Sequence, residues 1–355
     1  MLEMLIGGVM GVVLTITLEE PLRRLKTNTE RKVKSIIYKN KSLERSDFFK
    51  IGNHMTKFYI CDGNGIDYLN RDNIETFVED EDIHMPSDLS NLIESVEEEQ
   101  NILCSNNSSE YCWNGPLMSL KKHVITRTKQ YENMRVRLTF SPSNYYTFIA
   151  LNRSLDKNLI DGETIRSKYL SNQPLDKPIV QLANGFGVAI VLITSDNKVI
   201  LTKRSNSSGV RPGELDVSVV EAIHMPSDMG AGGSLKGPDL YKTATRGIEE
   251  EIGINIDTQN IKLLGYGVDY QYYQWNMIGI AECNFTKDYI IDNRTRGISG
   301  KWELENIEFY EFKPREILNL VKHKDMWDTA KVALYWALVN RYGKNEVDGT
   351  LRELK

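Results

Sequence analysis

Residues 232–254 read Gly-Gly-Ser-Leu-Lys-Gly-Pro-Asp-Leu-Tyr-Lys-Thr-Ala-Thr-Arg-Gly-Ile-Glu-Glu-Glu-Ile-Gly-Ile, a glycine-rich loop followed by one short helix. Pro238 suits the first helical turn, Asp239 complements the positive end of the helix dipole, and Gly253 is placed to stop the helix. Leu240, Ala244, Ile248 and Ile252 recur every four residues and form the stripe expected to face the core. Arg246 and Glu250 fall one turn apart on another face, with Glu251 beside them.

Working outward, the chain on either side alternates between strands and turns. Gly185 to Ile193 is almost continuously apolar, Ser195-Asp196-Asn197-Lys198 is a turn, and Val199 to Arg204 returns. This is a hairpin whose first arm belongs at the centre of a sheet covered on both faces. Ile261 to Tyr266, Trp275 to Ala281 and Ile307 to Phe312 supply further strands, and the spacing in Ala330 to Tyr342 predicts a closing helix whose apolar positions are core. Upstream, Lys57 to Cys61 reads as a strand ending in the turn Asp62-Gly63-Asn64-Gly65. Arg135 to Phe140 and Tyr145 to Leu151 read as two strands around the turn Ser141-Pro142-Ser143-Asn144. Residues 72–99 hold eleven acids and no Lys or Arg, and are expected to be solvated and partly helical. The hexapeptide Ile-His-Met-Pro-Ser-Asp stands at Ile83–Asp88 and again at Ile223–Asp228, with no similarity around it. It is therefore not a structural repeat, and His84 and His224 are its chemically interesting members.

The helix and its loop resemble the signature of the Nudix hydrolase (MutT-like) family, G-x5-E-x7-R-E-U-x-E-E-x-G-U with U a bulky aliphatic residue. Gly232, Arg246, Ile248, Glu250, Glu251, Gly253 and Ile254 match, which is seven of nine positions. Both departures remove a glutamate: Pro238 stands where the first is expected, with Asp239 next to it, and Gly247 replaces the one after the arginine. The likeness runs over about residues 180–345. It implies an α/β fold: a Nudix-type α/β/α sandwich with a mixed sheet, preceded by a smaller α/β region and an N-terminal hydrophobic helix. The expected divisions are 1–18, a membrane anchor; 19–178, a basic segment and small α/β region; 179–345, the Nudix-like domain; and 346–355, a tail.

Adjacent carboxylates near the end of a helix beside a glycine-rich loop concentrate hard oxygen donors suited to Mg²⁺ or Mn²⁺, which in turn hold pyrophosphate oxygens. The expected metal ligands are Glu250 and Glu251, with Asp239 and Glu303 as further acids. Arg246 orients a carboxylate, because its planar fork can hold one in place. Glu221 lies at a strand end where the family usually carries a Gly-Gly turn, and it is the candidate to replace the carboxylate missing at 247 and to act as base. Arg204 is the candidate for meeting phosphate, and Tyr270 and Tyr272 for stacking on a base, although aromatic residues are also favoured in strands for packing.

A chain of 355 residues with 41% hydrophobic content is long enough for one large or two modest cores. The formal charge of −5 gives no overall basis for nucleic-acid binding, which needs a basic surface. Cys61, Cys104, Cys112 and Cys283 lie far apart without zinc spacing and are expected to be free thiols. Met4 to Leu18 carries no charge, and ten basic residues against five acids follow between Glu19 and Lys50. That pattern predicts a single-pass anchor with the C-terminal bulk in the cytoplasm, and Gly7 and Gly11 have the spacing that lets two such helices pair as a homodimer. Two activities fit these residues: a membrane-tethered, Mg²⁺-dependent hydrolase of nucleoside diphosphate-linked substrates, or a catalytically degenerate nucleotide sensor or membrane effector built on the same fold.

Overall fold

The computed structural model describes residues 47–79, 83–108, 110–127, 134–205, 211–230, 236–295 and 304–354. The anchor expected at 1–18, with Gly7 and Gly11, lies outside the described residues. Among the described residues no helix is long and apolar enough to cross a membrane.

In chain order, the first part runs β1 (Lys50–Ile51), β2 (His54–Met55), β3 (Phe58–Gly63), β4 (Ile74–Val78), α1 (Ser87–Ser105), β5 (Pro116–Arg127), β6 (Met134–Asn144) and α2 (Tyr145–Ala150). The second part runs β7 (Phe186–Ile193), β8 (Lys198–Arg204), β9 (Leu215–Asp216), β10 (Val219–Ala222), α3 (Leu240–Gly247), a π-type turn (Ile248–Ile252), β11 (Ile261–Asp269), β12 (Gln274–Glu282), α4 (Lys287–Thr295), β13 (Leu304–Glu311), α5 (Pro314–His323), α6 (Asp328–Tyr342) and α7 (Lys344–Glu353).

The main sheet has the order β13-β8-β7-β12-β11-β3, and it is mixed because β7 and β12 are parallel while the other pairs are antiparallel. All eight residues of β7 are buried, as its unbroken apolar sequence requires of a central strand. One edge of β7 is shared: it meets β8 only at Ile193–Val199 and pairs with β10 from Gly187 to Ile190. The sheet therefore forks, and Ser218 stitches the fork by donating to the Ile200 carbonyl and accepting from the Leu192 N–H. On one face Ala189, Val191, Ile278 and Ile280 join the apolar sides of α5 and α6 in one core cluster. The other face is covered by α3 and by a three-stranded sheet of order β4-β6-β5, whose His123 meets the Tyr266 hydroxyl at 2.7 Å.

Several expectations are corrected here. Residues 47–355 form one compact unit, so the division placed at 178 falls inside it. The strand read at Lys57–Cys61 begins no separate region: β3 pairs with β11, some two hundred residues away, and closes the edge of the main sheet. The turn expected at Ser141–Asn144 is strand, paired with Pro116–Ser119. Tyr145–Ala150 is helix where aromatic and β-branched content predicted a strand over Tyr145–Leu151, because the Asn144 side chain accepts from the Thr147 N–H at 2.9 Å and caps a new helix. Residues 346–355, expected as a tail, largely belong to α7. The acidic stretch does contain a helix, α1, in which only Leu89 and Gln100 are buried.

Candidate active site

The chemistry gathers around α3. Asp239 caps it by accepting from the Tyr241 N–H at 3.1 Å, while Leu240, Ala244, Ile248 and Ile252 all face the core. The helix widens to the π-type turn over the three glutamates and stops at Gly253, whose φ of +83° is the left-handed conformation glycine adopts at low cost.

Arg246 is the hub. Its Nε and Nη2 donate to the two carboxylate oxygens of Asp228 at 2.9 Å each, and Nη2 also donates to the Ala222 carbonyl at 2.8 Å. Nη1 is shared between Glu221 at 2.9 Å and Glu250 at 3.3 Å. These contacts match the five donors of a guanidinium. Burial opposes the charge on Arg246, but the bonds to Asp228 and the nearby Glu221 outweigh it and raise its pKa further. Asp228 is only 1% exposed and also accepts from the His224 N–H at 2.8 Å and the Thr243 hydroxyl at 3.0 Å.

Gly247 explains why two carboxylates, and not three, come from the helix. A Cβ at that position would lie 2.6 Å from Val219 Cγ1 and 2.7 Å from Glu221 Cβ. Glu221 thus fills from β10 the space that a side chain at 247 would need. It delivers its carboxylate to the same Arg246 nitrogen as Glu250.

The other expected site residues are distributed differently. Glu250 is 44% exposed, whereas Glu251 is 9% exposed and its backbone carbonyl accepts from Arg294 of α4. Asp239 is not placed as a metal ligand: it is 1% exposed, caps α3 and is paired with Arg71. Glu303, Trp302 and Gly232 lie outside the described residues. Tyr270 is corrected to a core residue, 1% exposed, packed edge-on against Tyr273 and under the Arg166 guanidinium. Tyr272 stands in the β11–β12 turn, where its carbonyl accepts from Asn152 at 3.0 Å, and burial pushes its phenol pKa up while Arg211 opposes the rise. Arg204 ends β8, with its N–H donating to the Glu214 carbonyl at 3.0 Å. Burial likewise raises the Tyr145 phenol, against which Arg153 and Arg204 act. Arg153 and Tyr145 were not singled out in the sequence, where nothing marks them.

Asp228 was also missed. In the repeated hexapeptide the His224 ring contacts Ser227 at 3.2 Å, whereas the last residue of the motif carries the interaction with Arg246. A cleft of about 530 Å³ lined by Phe49, Lys50, Asn64, Trp336 and Arg352 is separate from this chemistry and touches none of these residues.

A second ionisable group lies on the opposite face. Asp269, at the end of β11, is fully buried, accepts from Trp327 Nε1 at 2.9 Å and from the Gln271 N–H at 3.2 Å, and has Asp328 and Arg211 as charged neighbours. Burial is the main cause that pushes its pKa up to about 6, against about 3.9 in an unfolded chain. The ionised native form is therefore penalised above pH 6, and the penalty disappears as the pH falls towards 4. Asp269→Asn is expected to stabilise the fold by about 1–2 kcal/mol at pH 7.5, less than the full value of the shift because the amide faces the Gln271 N–H. Paired melts at pH 7.5 and 4.5 check this; an equal or larger gain at pH 4.5 contradicts it.

No family model matches the chain, and no curated protein matches it. Solved structures do. All three below are Nudix or MutT proteins. The NUDIX domain of NrtR from Shewanella oneidensis, crystallised with ADP ribose, is 15% identical, covering 48% of this chain and 95% of that one with a TM-score of 0.31. A mutT/nudix family protein from Listeria innocua is 14% identical over 44% of this chain and 92% of that one, with a TM-score of 0.30. The MutT protein of Methanosarcina mazei is 10% identical over 48% of this chain and 94% of that one, with a TM-score of 0.29.

Proposed function

We propose that the chain is a Nudix-type hydrolase that cleaves the pyrophosphate bond of a nucleoside diphosphate-linked substrate with a divalent metal ion. The convergence of Glu221 and Glu250 on one nitrogen of Arg246 carries the reading, because it gathers carboxylates from a helix and a strand at one point. Among the described residues no group of three or more His, Cys, Asp or Glu side chains could hold a metal. The donor chemistry nevertheless fits Mg²⁺, which commonly takes one or two carboxylates and completes its shell with substrate phosphates and water. Glu250 and Glu251 would hold the ion, and bound there it would polarise phosphoryl oxygen and make a bound water more acidic.

The protein's own groups do the rest. Asp228 anchors Arg246 from below, Arg246 fixes the direction of the Glu221 and Glu250 carboxylates, and Glu221 accepts the proton of the attacking water. Release of phosphate or nucleotide by the full-length chain, measured with Mg²⁺ across nucleoside triphosphates, dinucleoside polyphosphates, ADP-ribose and nucleotide sugars, tests the proposal. Glu221→Gln is expected to lower turnover by about 10²–10⁴-fold on the substrate that is cleaved. Undiminished turnover in that variant removes Glu221 from the role of base, and no turnover on any substrate removes the hydrolase.

One observation favours a second reading, a catalytically degenerate nucleotide sensor. Every Arg246 donor is used within the chain and Glu251 is nearly covered, so the site is closed around itself. Nucleotide binding without release of product, unchanged in Glu250→Gln, would select it.

A further inference from the structure

The cleft of about 530 Å³ stands apart from the carboxylates, and its lining divides by chemistry. It lies where α6 and α7 meet the β1–β2 hairpin and the turn after β3, on the face of the main sheet that α5 and α6 cover. Arg246 and its acids belong to the face under α3. The volume is that of a site for a small organic molecule, for which about 300–1,000 Å³ is usual.

The floor is apolar. A Cβ on Gly65 would stand 2.8 Å from Trp336 Cδ1, so the turn after β3 lies with bare backbone on the indole, and Phe49 packs edge-on against the same ring at 6.3 Å. Phe49 and Leu351 are themselves half-buried and offer the cleft their remaining apolar surface.

The rim is cationic. Lys344 and Arg352 stand at i and i+8 on α7, and Lys50 comes from β1. All three are exposed, and none of their side chains has a hydrogen-bond or ion-pair partner among the described residues. One acid shares the lining, Asp348, four residues from Lys344 and four from Arg352, the spacing at which helical ion pairs form. It forms neither pair. Its Oδ1 accepts from the Tyr335 hydroxyl at 2.7 Å, and burial, followed by Asp348 itself, pushes the Tyr335 phenol up, so the hydroxyl stays a donor and keeps the carboxylate engaged with α6. Three cations against one engaged acid thus line a cavity in a chain whose net charge is −5. A cleft lined by one sign of charge between apolar walls focuses the field inside it, and the group that answers this field is an anion.

We propose that this cleft binds a small organic phosphate, with the phosphoryl oxygens among Lys50, Lys344 and Arg352 and an aromatic or apolar body on Phe49 and Leu351. Phosphate oxygens accept charge-assisted bonds from ammonium and guanidinium donors alike, and several can be made at once. The apolar floor adds the transfer of the body out of water, which an inorganic ion lacks. The cleft touches none of the residues around Arg246, so a ligand here leaves the carboxylates free, and the inference stands whether or not the chain hydrolyses a pyrophosphate bond.

Isothermal titration of the full-length chain with 1-naphthyl phosphate, 1-naphthol and inorganic phosphate tests it. The ester is expected to bind once per chain and at least about tenfold more tightly than either of its parts, because each part meets only the rim or only the floor. The double variant Lys344→Ala, Arg352→Ala, at two exposed positions outside the core, is expected to weaken the ester at least about tenfold. Asp348→Asn keeps an acceptor for Tyr335 and removes the one negative charge, and is expected to tighten binding by about two- to fivefold. Opposite signs at neighbouring positions of one helix are a result that a purely structural role of these side chains does not give. An ester that fails to bind, an affinity for 1-naphthol equal to that for the ester, or an ester affinity unchanged in the double variant overturns the site.

Discussion

Gly247→Glu, which restores the carboxylate that the family signature carries after its arginine, is expected to damage this protein. The new Cβ would stand 2.7 Å from Glu221 Cβ and 2.6 Å from Val219 Cγ1, closer than such atoms approach, and the charge would arrive beside Glu221 and Glu250. Forcing atoms into a packed site costs about 1–3 kcal/mol, and the like charges add to it. Glu221→Gly in the same chain removes the Glu221 part of the obstruction and the competing charge, leaving only the contact with Val219, so the double variant is expected to regain at least about 1 kcal/mol relative to the sum of the two single changes. Denaturant unfolding of the four proteins in this cycle gives the coupling directly. A Gly247→Glu protein as stable as wild type, or an additive cycle, would show that the two positions do not share one space.

The second large effect is expected at Arg246. Its removal in Arg246→Ala leaves Asp228, 1% exposed, as a buried carboxylate without its counter-charge, a loss of about 3–5 kcal/mol. The same change releases Glu221 and Glu250 from their shared nitrogen, so the proposed hydrolysis is expected to fall together with stability. Arg246→Lys keeps the charge but cannot make the bidentate contact to Asp228 while reaching Glu221, and is expected to recover only a minor part of both. Asp228→Asn should resemble Arg246→Lys in stability. A loss below about 0.5 kcal/mol in Arg246→Ala, the range of an ordinary surface change, would show that the five bonds do not act as the hub.

The contrast between Glu221 and Asp239 illustrates how acids are sorted. Asp239 stands next to the position of one missing glutamate, whereas Glu221 lies far upstream of the other, on a different element. Glu221 reaches Arg246 because β10 pairs with β7 in a register that brings it over α3. Asp239 instead turns into the end of its own helix, where the unpaired N–H of Tyr241 and the side chain of Arg71 take it up.

What the amino-acid order determined by itself was local. The limits of α3, its buried stripe and its glycine stop follow from spacing and from the conformational needs of helix ends, which act over a few residues. The central position of β7 follows from its unbroken apolar run, and the i,i+4 pairing of Arg246 with Glu250 from helix geometry alone. Where local signals conflicted, the reading failed: at Tyr145–Ala150 the strand preference of the aromatic residues yielded to one capping asparagine. Only the tertiary structure decided the rest. Asp228 beneath Arg246, Glu221 in the space at Gly247, β3 on β11, and the buried pair of Asp269 and Trp327 each join segments by pairing and packing across the fold. The reason is physical: periodicity and capping are written in neighbouring residues, whereas the partner of a buried charge is set by which surfaces the whole chain brings together.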